Sequence, residues 1–563
     1  MSSKRNKKRD LTALGLSIII LILLNFVASF LFHRFDLTSE KRYTLSDATK
    51  KLLSELDDVV YVKVYLEGDF PSGFKRLRNE TKEMLDEFRA YSNNNIEYEF
   101  INPSENPDKK QVEEVYKQLY KKGLQRFNLE DKTDEGTTEK LIWPGAIVSY
   151  RGHEVPWSLL KTQLGQSSEG QLNNSIQSLE YEFASCIRNL STMIRPEIGF
   201  IEGHGELDTL AVEDVAISLS HFYTVKRIAI DSQLDALKGL SAIIIAKPVT
   251  AFSKKDKFII DQFIMKGGKS LWLIDPLYTS PDSLRKNGAT LAVPFDLNLD
   301  DMLFRYGVRV NPDMVMDVQS SVIPVKTGMQ GNSPTIELKP WIFSPLLMPS
   351  GNHPIVKNLD VIKVDFAASM DTIAAPGIQK TILLQSSKYS KNIVAPVRVD
   401  MRILNMPLDE AQFNTPYRNI AVLLEGEFES VYKNRVTPAI AKDSAIAYKD
   451  HSVATKMIVI SDGDMIRNDI QYSTMKAYPL GYDKYTNRTF GNKNFILNCV
   501  NYLCDDSGLI SVRARELTLR LLDKKKLKNE KLKWQLINTV LPLLLILLFG
   551  IIHTIRRSRK YSS

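Results

Sequence analysis

Cysteine is nearly absent: three residues in a chain of 563, too few for a disulfide framework. Cys499 and Cys504 stand five apart on a stretch that reads as helix, a poor spacing for a bridge, so all three read as small core residues. With no Cys-x-x-Cys, dithiol redox chemistry is excluded. The nucleotide fingerprints are missing too. Gly267-Gly268-Lys269-Ser270 imitates the end of a phosphate loop, but Phe263 stands where its first glycine belongs, and the segment precedes a strand instead of a helix. There is no G-x-G-x-x-G, no G-x-S-x-G elbow, and no second cluster of zinc ligands, the histidines being scattered. The formal charge of +8 resides partly in the chain ends. The middle is near balance and lacks the concentrated basic face of a nucleic-acid binder. No internal repeat is found, and no cofactor is expected.

Long apolar runs are also lacking, except at two places. Leu11 to Phe32 carries Asn25 as its one strongly polar side chain, and Leu536 to about His553 includes Pro542 and Gly550. Each is long enough to cross a bilayer as a helix, which takes ~20 residues. A cleaved signal peptide is the rival for the first, but its apolar region would be ~7–15 residues and Ala28-Ser29-Phe30 is a poor cleavage site. A buried core helix is the rival for the second. Lys4, Arg5, Lys7, Lys8 and Arg9 before the first run place the N-terminus in the cytoplasm. Two crossings then return Arg556, Arg557, Arg559 and Lys560 to that side and leave the middle outside the cytoplasm. Lys524, Lys525, Lys526, Lys528, Lys531 and Lys533 flank the second run on the opposite side and taken alone reverse it. They are candidates for contact with anionic headgroups of the inner membrane, against a solvated stalk.

The middle reads as α/β. VVYVKVYLEG alternates as a strand from Val59, Phe74 to Tyr91 has a helical apolar face, NIEYEFINP is a second strand, and LIWPGAIVSYRGHEVPW from Leu141 reads as a hairpin. The polar DKTDEGTTEK before it reads as a loop. This pattern predicts a small thioredoxin-like α/β domain. Asn173 to Leu190 reads as a connector helix. PEIGFIEGHGE, SAIIIAKP, KSLWLIDP and TKMIVISDGD then carry apolar runs without alternation, as in parallel strands buried on both faces. With helices between them, including one capped by Ser253, they predict a doubly wound sheet. Residues 320–350, rich in Pro, Gly and Ser, read as a long loop.

The chain therefore divides into a cytoplasmic basic tail (1–10), a transmembrane helix (11–32), a thioredoxin-like domain (40–172), a connector (173–195) and a doubly wound domain (196–318). A loop and β-rich region (319–455), a return to the α/β domain (456–512), a basic juxtamembrane helix (513–535), a transmembrane helix (536–555) and a basic tail (556–563) follow.

Two loops carry candidate chemistry. Glu202-Gly203-His204-Gly205-Glu206 ends a buried strand, where α/β sheets place ligands. His204 between carboxylates suits a general base or one metal ligand; a tight glycine turn with exposed polar side chains explains it as well. Asp462 and Asp464 end another strand and suit Mg²⁺ or Ca²⁺, or a capped turn. Asp275 is a similar strand terminus.

The segments RFDLTSEKRYTLSDATKKLL, VYLEGDFPSGFKRL, EYEFINP, GFIEGHGE, VISDGDMIRN and FGNKNFILNCVNYLCDDSGLI resemble the GldG family, the gliding-motility-associated auxiliary subunits of ABC transporters. The resemblance is spread over nearly the whole chain. It implies a partner ATPase and a multispanning permease, and a link to gliding and type IX secretion. The middle unit also resembles the domain shared by ABC-transporter auxiliary and intraflagellar-transport proteins, itself akin to class I glutamine amidotransferases. Their nucleophilic Cys has no counterpart here, Lys247-Pro248 following the SAIIIA strand. The expectation is a non-enzymatic, two-pass inner-membrane auxiliary subunit with a periplasmic domain. The alternatives are an envelope hydrolase using the His204 loop with Asp462 or Asp464, and a purely structural envelope scaffold.

Overall fold

The computed structural model describes residues 11–23, 25, 44–105, 107–133, 136–161, 167–192, 195–279, 281–330, 333–349, 351–444, 446–471, 474–505, 508–514 and 524–561. Residues Met1–Arg515 form one compact unit and Glu516–Ser563 a second.

The first sheet of the large unit runs β1 (Val60–Val64), β2 (Ile96–Phe100), β3 (Gly145–Tyr150) and β4 (His153–Ser158) in the chain, with spatial order β2-β1-β3-β4. β1 and β2 are parallel and the hairpin β3–β4 is antiparallel to β1. The crossover between the parallel pair is α1 (Ser72–Tyr91), whose Leu77, Leu85 and Phe88 are buried in the same core as Val60, Val62 and Val64.

The predicted connector is more than that. Helix α2 (Ser168–Ser191) buries Leu172, Ile176, Leu179, Phe183, Ala184 and Ile187 in this first core. Phe183 lies 4.7 Å from Phe88 and 4.8 Å from Trp157, ring centre to ring centre. The buried Glu180 accepts hydrogen bonds from Ser46 N at 2.7 Å and Thr49 Oγ1 at 2.9 Å, fixing the helix Asp47–Ser54. Leu509, Ile510 and Val512, from the far end of the unit, complete this core instead of belonging to the second domain.

The second sheet contains β5 (Glu197–Glu202), β6 (Thr224–Ala229), β7 (Ala242–Ala246), β8 (Lys269–Leu273), β9 (Val308–Val310), β10 (Met370–Thr372), β11 (Ile378–Gln385), β12 (Asn419–Gly426) and β13 (Thr455–Ile460). Its order is β9-β10-β12-β13-β8-β7-β5-β6, with β11 also on β12. β6, β5, β7, β8 and β13 are mutually parallel, and β12 begins an antiparallel extension. TKMIVISDGD thus rejoins the sheet, as its apolar run predicts.

Both faces are covered, which explains the absence of alternation. Ile244, Leu271 and Ile458 pack with Val215 and Leu219 of α3 (Glu213–Ser220) and Phe495 and Cys499 of α5 (Asn492–Cys504). Ile243, Trp272 and Val459 pack with Ile259 and Ile260 of α4 (Lys254–Met265). Ser253 caps α4, its Oγ accepting from Asp256 N at 3.1 Å. The sheet is doubly wound, as predicted.

Two loop predictions fail. Residues 320–350 contain a long hairpin, Ser320–Gln330 paired with Ser333–Leu347. The polar DKTDEGTTEK stretch belongs to another, Phe127–Thr133 paired with Gly136–Ile142. Pro324, Pro340 and Pro345 stand within the paired strands, so here proline misleads as a loop signal. Cys186, Cys499 and Cys504 are free thiols.

In the second unit, α6 (Lys524–Tyr561) is one unbroken helix through Pro542. Its section Glu530–Arg559 is long and apolar enough to cross a membrane. The lysines fall on this same helix instead of on a separate one. Lys531 and Lys533 are exposed, and residues 516–523 of the predicted basic helix lie outside the described residues. At the other end, Leu11–Leu23 is an apolar helix shorter than a full span; residues 26–32 of the predicted crossing lie outside the described residues.

Candidate functional site

Parallel strands end together, so the sheet brings its C-terminal loops to one edge. The chain leaves β5 outward to β6 and returns on the other side to β7, and such a reversal opens a crevice at the strand ends. All six predicted loop residues lie at this edge, but they separate into three groups.

Glu202, the last residue of β5, pairs with Arg227 of the adjacent β6 and is half-exposed. It takes no part in the crevice.

His204 is buried, 6 % exposed, so the expectation of an exposed polar turn is wrong for its side chain. Its Nδ1 lies 3.3 Å from Glu206 Oε1 and its Nε2 3.3 Å from Asp256 Oδ2. The ring stacks on Phe252 with centres 3.8 Å apart. Burial opposes its charge, yet the neighbouring carboxylates, Glu206 first and then Asp256, hold its pKa above the ordinary histidine value. The glycines are needed here as expected. Gly205 has φ +74°, and a Cβ on it would lie 2.5 Å from Val249 Cγ2. His204 O accepts from Val249 N and Thr250 N, both at 2.9 Å, stitching the β5 loop to the β7 loop. With a carboxylate on each ring nitrogen, His204 works as a clamp across the crevice. Asp256 was missed by sequence reasoning, although its place three residues after the cap Ser253 was a usable signal.

The third group joins Asp275, Asp462 and Asp464 around Lys247, also missed. Lys247 Nζ lies 3.0 Å from Asp275 Oδ2 and pairs with Asp464. Gly463 N donates to Asp275 Oδ1 at 2.6 Å. Asp462 is fully buried and accepts from Asp464 N at 2.8 Å and Asp365 N at 3.0 Å. Arg467 Nη1 lies 3.3 Å from Asp464 Oδ1. Burial pushes the Asp462 carboxyl well up, reinforced by Asp275, Asp464 and Asp365. Burial likewise raises Asp275, with Lys247 acting against it. Lys247, opposed by burial, is held above the ordinary lysine value by Asp275 and Asp464.

Lys247 has φ +56°, the left-handed region, a conformation costing ~1–3 kcal/mol outside glycine. Gly463 permits its approach, since a Cβ there would lie 2.7 Å from Lys247 Cγ. Of the two readings, the capped turn is what is seen: Asp462 caps Gly463–Ile466 by accepting from Asp464 N, and the Lys247 ammonium lies between the Asp275 and Asp464 carboxylates. Among the described residues no group of three or more His, Cys, Asp or Glu side chains is placed to hold a metal ion.

Residues 195–499 match the model of a family described as an ABC-type uncharacterized transport system, more than half of the 563 residues. The chain belongs to this family. The ABC-type membership supports a transport-associated auxiliary role in association with an ABC transporter, and with α6 it supports membrane association. Residues 39–149 match a domain of unknown function. An uncharacterized protein of Borreliella burgdorferi is 22 % identical over 582 aligned positions, covering 99 % of this chain and all of that one. A solved structure, the mmIFT52 N-terminal domain, is 14 % identical and covers 55 % of this chain and 97 % of that one with a TM-score of 0.31, too low to carry an argument.

The clamp makes a signed prediction. A histidine whose folded pKa is raised contributes fully below its unfolded value, ~6.5, and the contribution is lost as pH rises through the folded value. Wild type is expected to exceed His204→Gln by about 1–3 kcal/mol near pH 6, with the margin shrinking above that. Denaturation of both forms across pH checks it; a margin that grows with pH would refute the clamp.

Proposed function

We propose that the chain is a non-enzymatic, membrane-anchored auxiliary subunit that docks on an ABC permease and ATPase and holds its α/β domains outside the cytoplasm. The observation that carries this reading is the condition of the crevice edge. The groups a hydrolase would need there, His204, Asp462 and Asp464, are already engaged with Asp256, Glu206, Lys247 and Asp365. The family membership and the apolar section of α6 agree with it. We take Leu11–Phe32 as a second crossing, with both termini cytoplasmic and the large unit periplasmic, on the strength of the basic N-terminus. The order β2-β1-β3-β4 supports a thioredoxin-like first domain. Lys247, in left-handed conformation directly after β7, supports an amidotransferase-like second domain without the nucleophile. The link to gliding and type IX secretion rests on the resemblance to the GldG family.

Affinity capture of the tagged chain from detergent-solubilised membranes is expected to recover a permease and an ATPase, and deletion is expected to abolish surface spreading. Consistent absence of both transporter subunits would overturn the docking, and normal spreading of the deletion strain the link to gliding.

A further inference from the structure

Helix α6 is not the same all round. At ~100° per residue, Gln535, Asn538, Thr539, Pro542, Gly550 and His553 fall within an arc of about 120°. The opposite side is aliphatic, with Ile537, Leu541, Leu544, Leu548 and Ile555 running down its middle. A helix surrounded by lipid alone gains nothing from gathering its amides on one side. A helix that crosses the bilayer beside another turns its polar side chains toward that neighbour.

The same side carries an unmet backbone group. Pro542 has no N–H, so the bond to Asn538 O, four residues back, is missing although the helix runs on. The nearby hydroxyls are engaged elsewhere: Thr539 Oγ1 donates to Gln535 O at 2.7 Å and Thr554 Oγ1 to Gly550 O at 2.8 Å. The Asn538 carboxamide is exposed, and among the described residues it has no hydrogen-bond partner. Residue 538 therefore offers a backbone acceptor that lacks its helical donor, beside a side chain that both donates and accepts. Both fall inside the section Glu530–Arg559, and hydrocarbon supplies no partner for either.

We propose that α6 pairs through this face with α6 of a second copy of the chain. The pairing rests on the reading of α6 as a membrane crossing and goes beyond docking on a permease. Two copies in one bilayer have the same orientation, so their α6 helices lie parallel. In a two-fold pair each group then meets its own counterpart at the same depth. That arrangement suits groups complementary to themselves. The Asn538 carboxamide of one protomer donates to the freed Asn538 carbonyl of its partner, and the partner returns the bond. Gln535, also a carboxamide, pairs likewise. A Cβ on Gly550 would meet nothing within 4 Å, which leaves room for the second backbone to approach.

The experiment is disulfide cross-linking of the full chain, in its native membranes and in liposomes that hold no other protein. Thr539→Cys, Ile546→Cys and His553→Cys mark the polar side; Leu541→Cys, Leu544→Cys and Leu548→Cys mark the other. The unmodified chain, with Cys186, Cys499 and Cys504, sets the background. Oxidation is expected to give a dimer of twice the chain mass in both settings, from the polar side alone. With Ile546→Cys as reporter, Asn538→Leu is expected to weaken dimer formation about threefold or more, the usual reach of an interhelical hydrogen bond. Pro542→Ala restores a donor to Asn538 O and should weaken the dimer too, although it improves the helix. Cross-links from both sides alike, no cross-links, adducts with another polypeptide only, or full dimer yield in Asn538→Leu and Pro542→Ala would each overturn the proposal. Release of the chain from membranes by alkaline carbonate would overturn the crossing itself, whereas retention without dimers from the polar side would overturn the pairing alone.

Discussion

Replacing Lys247 by Met is expected to destabilise the second core by about 3–5 kcal/mol, the usual cost of removing one partner of a buried ion pair. The side chains of Lys247, Asp275 and Asp464 are 21 %, 14 % and 17 % exposed, so solvent screens little of the loss. Two carboxylates would then face each other with no cation between them, beside a buried third, Asp462. The deficit should depend on pH with a definite sign. Asp275 already has a raised pKa, and losing Lys247 raises it further. A carboxyl with a raised folded pKa contributes fully below its unfolded value, ~3.9, and loses that contribution as pH rises through the folded value. The variant should therefore be closest to wild type in acid and fall away toward neutrality. Adding Asp464→Asn to Lys247→Met should recover part of the loss, a coupling that a double-mutant cycle isolates. Hydrogen exchange at β7, β8 and β13 measures it; protection unchanged by Lys247→Met would show that the ion pair does not hold these strand ends.

The double substitution Leu509→Ala with Ile510→Ala should cost more, about 4–10 kcal/mol, since each buried Leu or Ile cut to Ala costs ~2–5 kcal/mol. Both side chains are almost fully buried, at 2 % and 4 % exposure. The expected pattern is selective. β1, β3, α1 and α2 should lose exchange protection while β7 and β8 keep theirs, because the two residues pack in the first core alone. Loss of protection in both cores together, or in neither, would refute the assignment of this segment.

The sequence made legible what is local. The runs Ala242–Ala246 and Leu271–Ile274 announced parallel strands buried on both faces, Ser253 announced the start of α4, and the glycines flanking His204 announced a tight turn. The candidate loop residues were placed correctly at strand ends. Their partners were not legible, because these are long-range: Lys247 and Asp464 are 217 positions apart, and no local period encodes such a pairing. The same holds for the closing of the first core by Leu509 and Ile510. The hairpin Ser320–Leu347 was hidden differently, its prolines and glycines imitating a loop.

That closing segment also imposes an order of events during synthesis. Ile187 and Leu509 share a core, yet the ribosome makes them roughly 320 residues apart. At ~5–20 residues per second this is a delay of roughly 15–65 s. Through that interval the first domain waits with an uncovered apolar face, while the second can fold to completion. The domain made first is therefore the last to be finished, and its apolar face stays uncovered by this segment until the final stretch arrives.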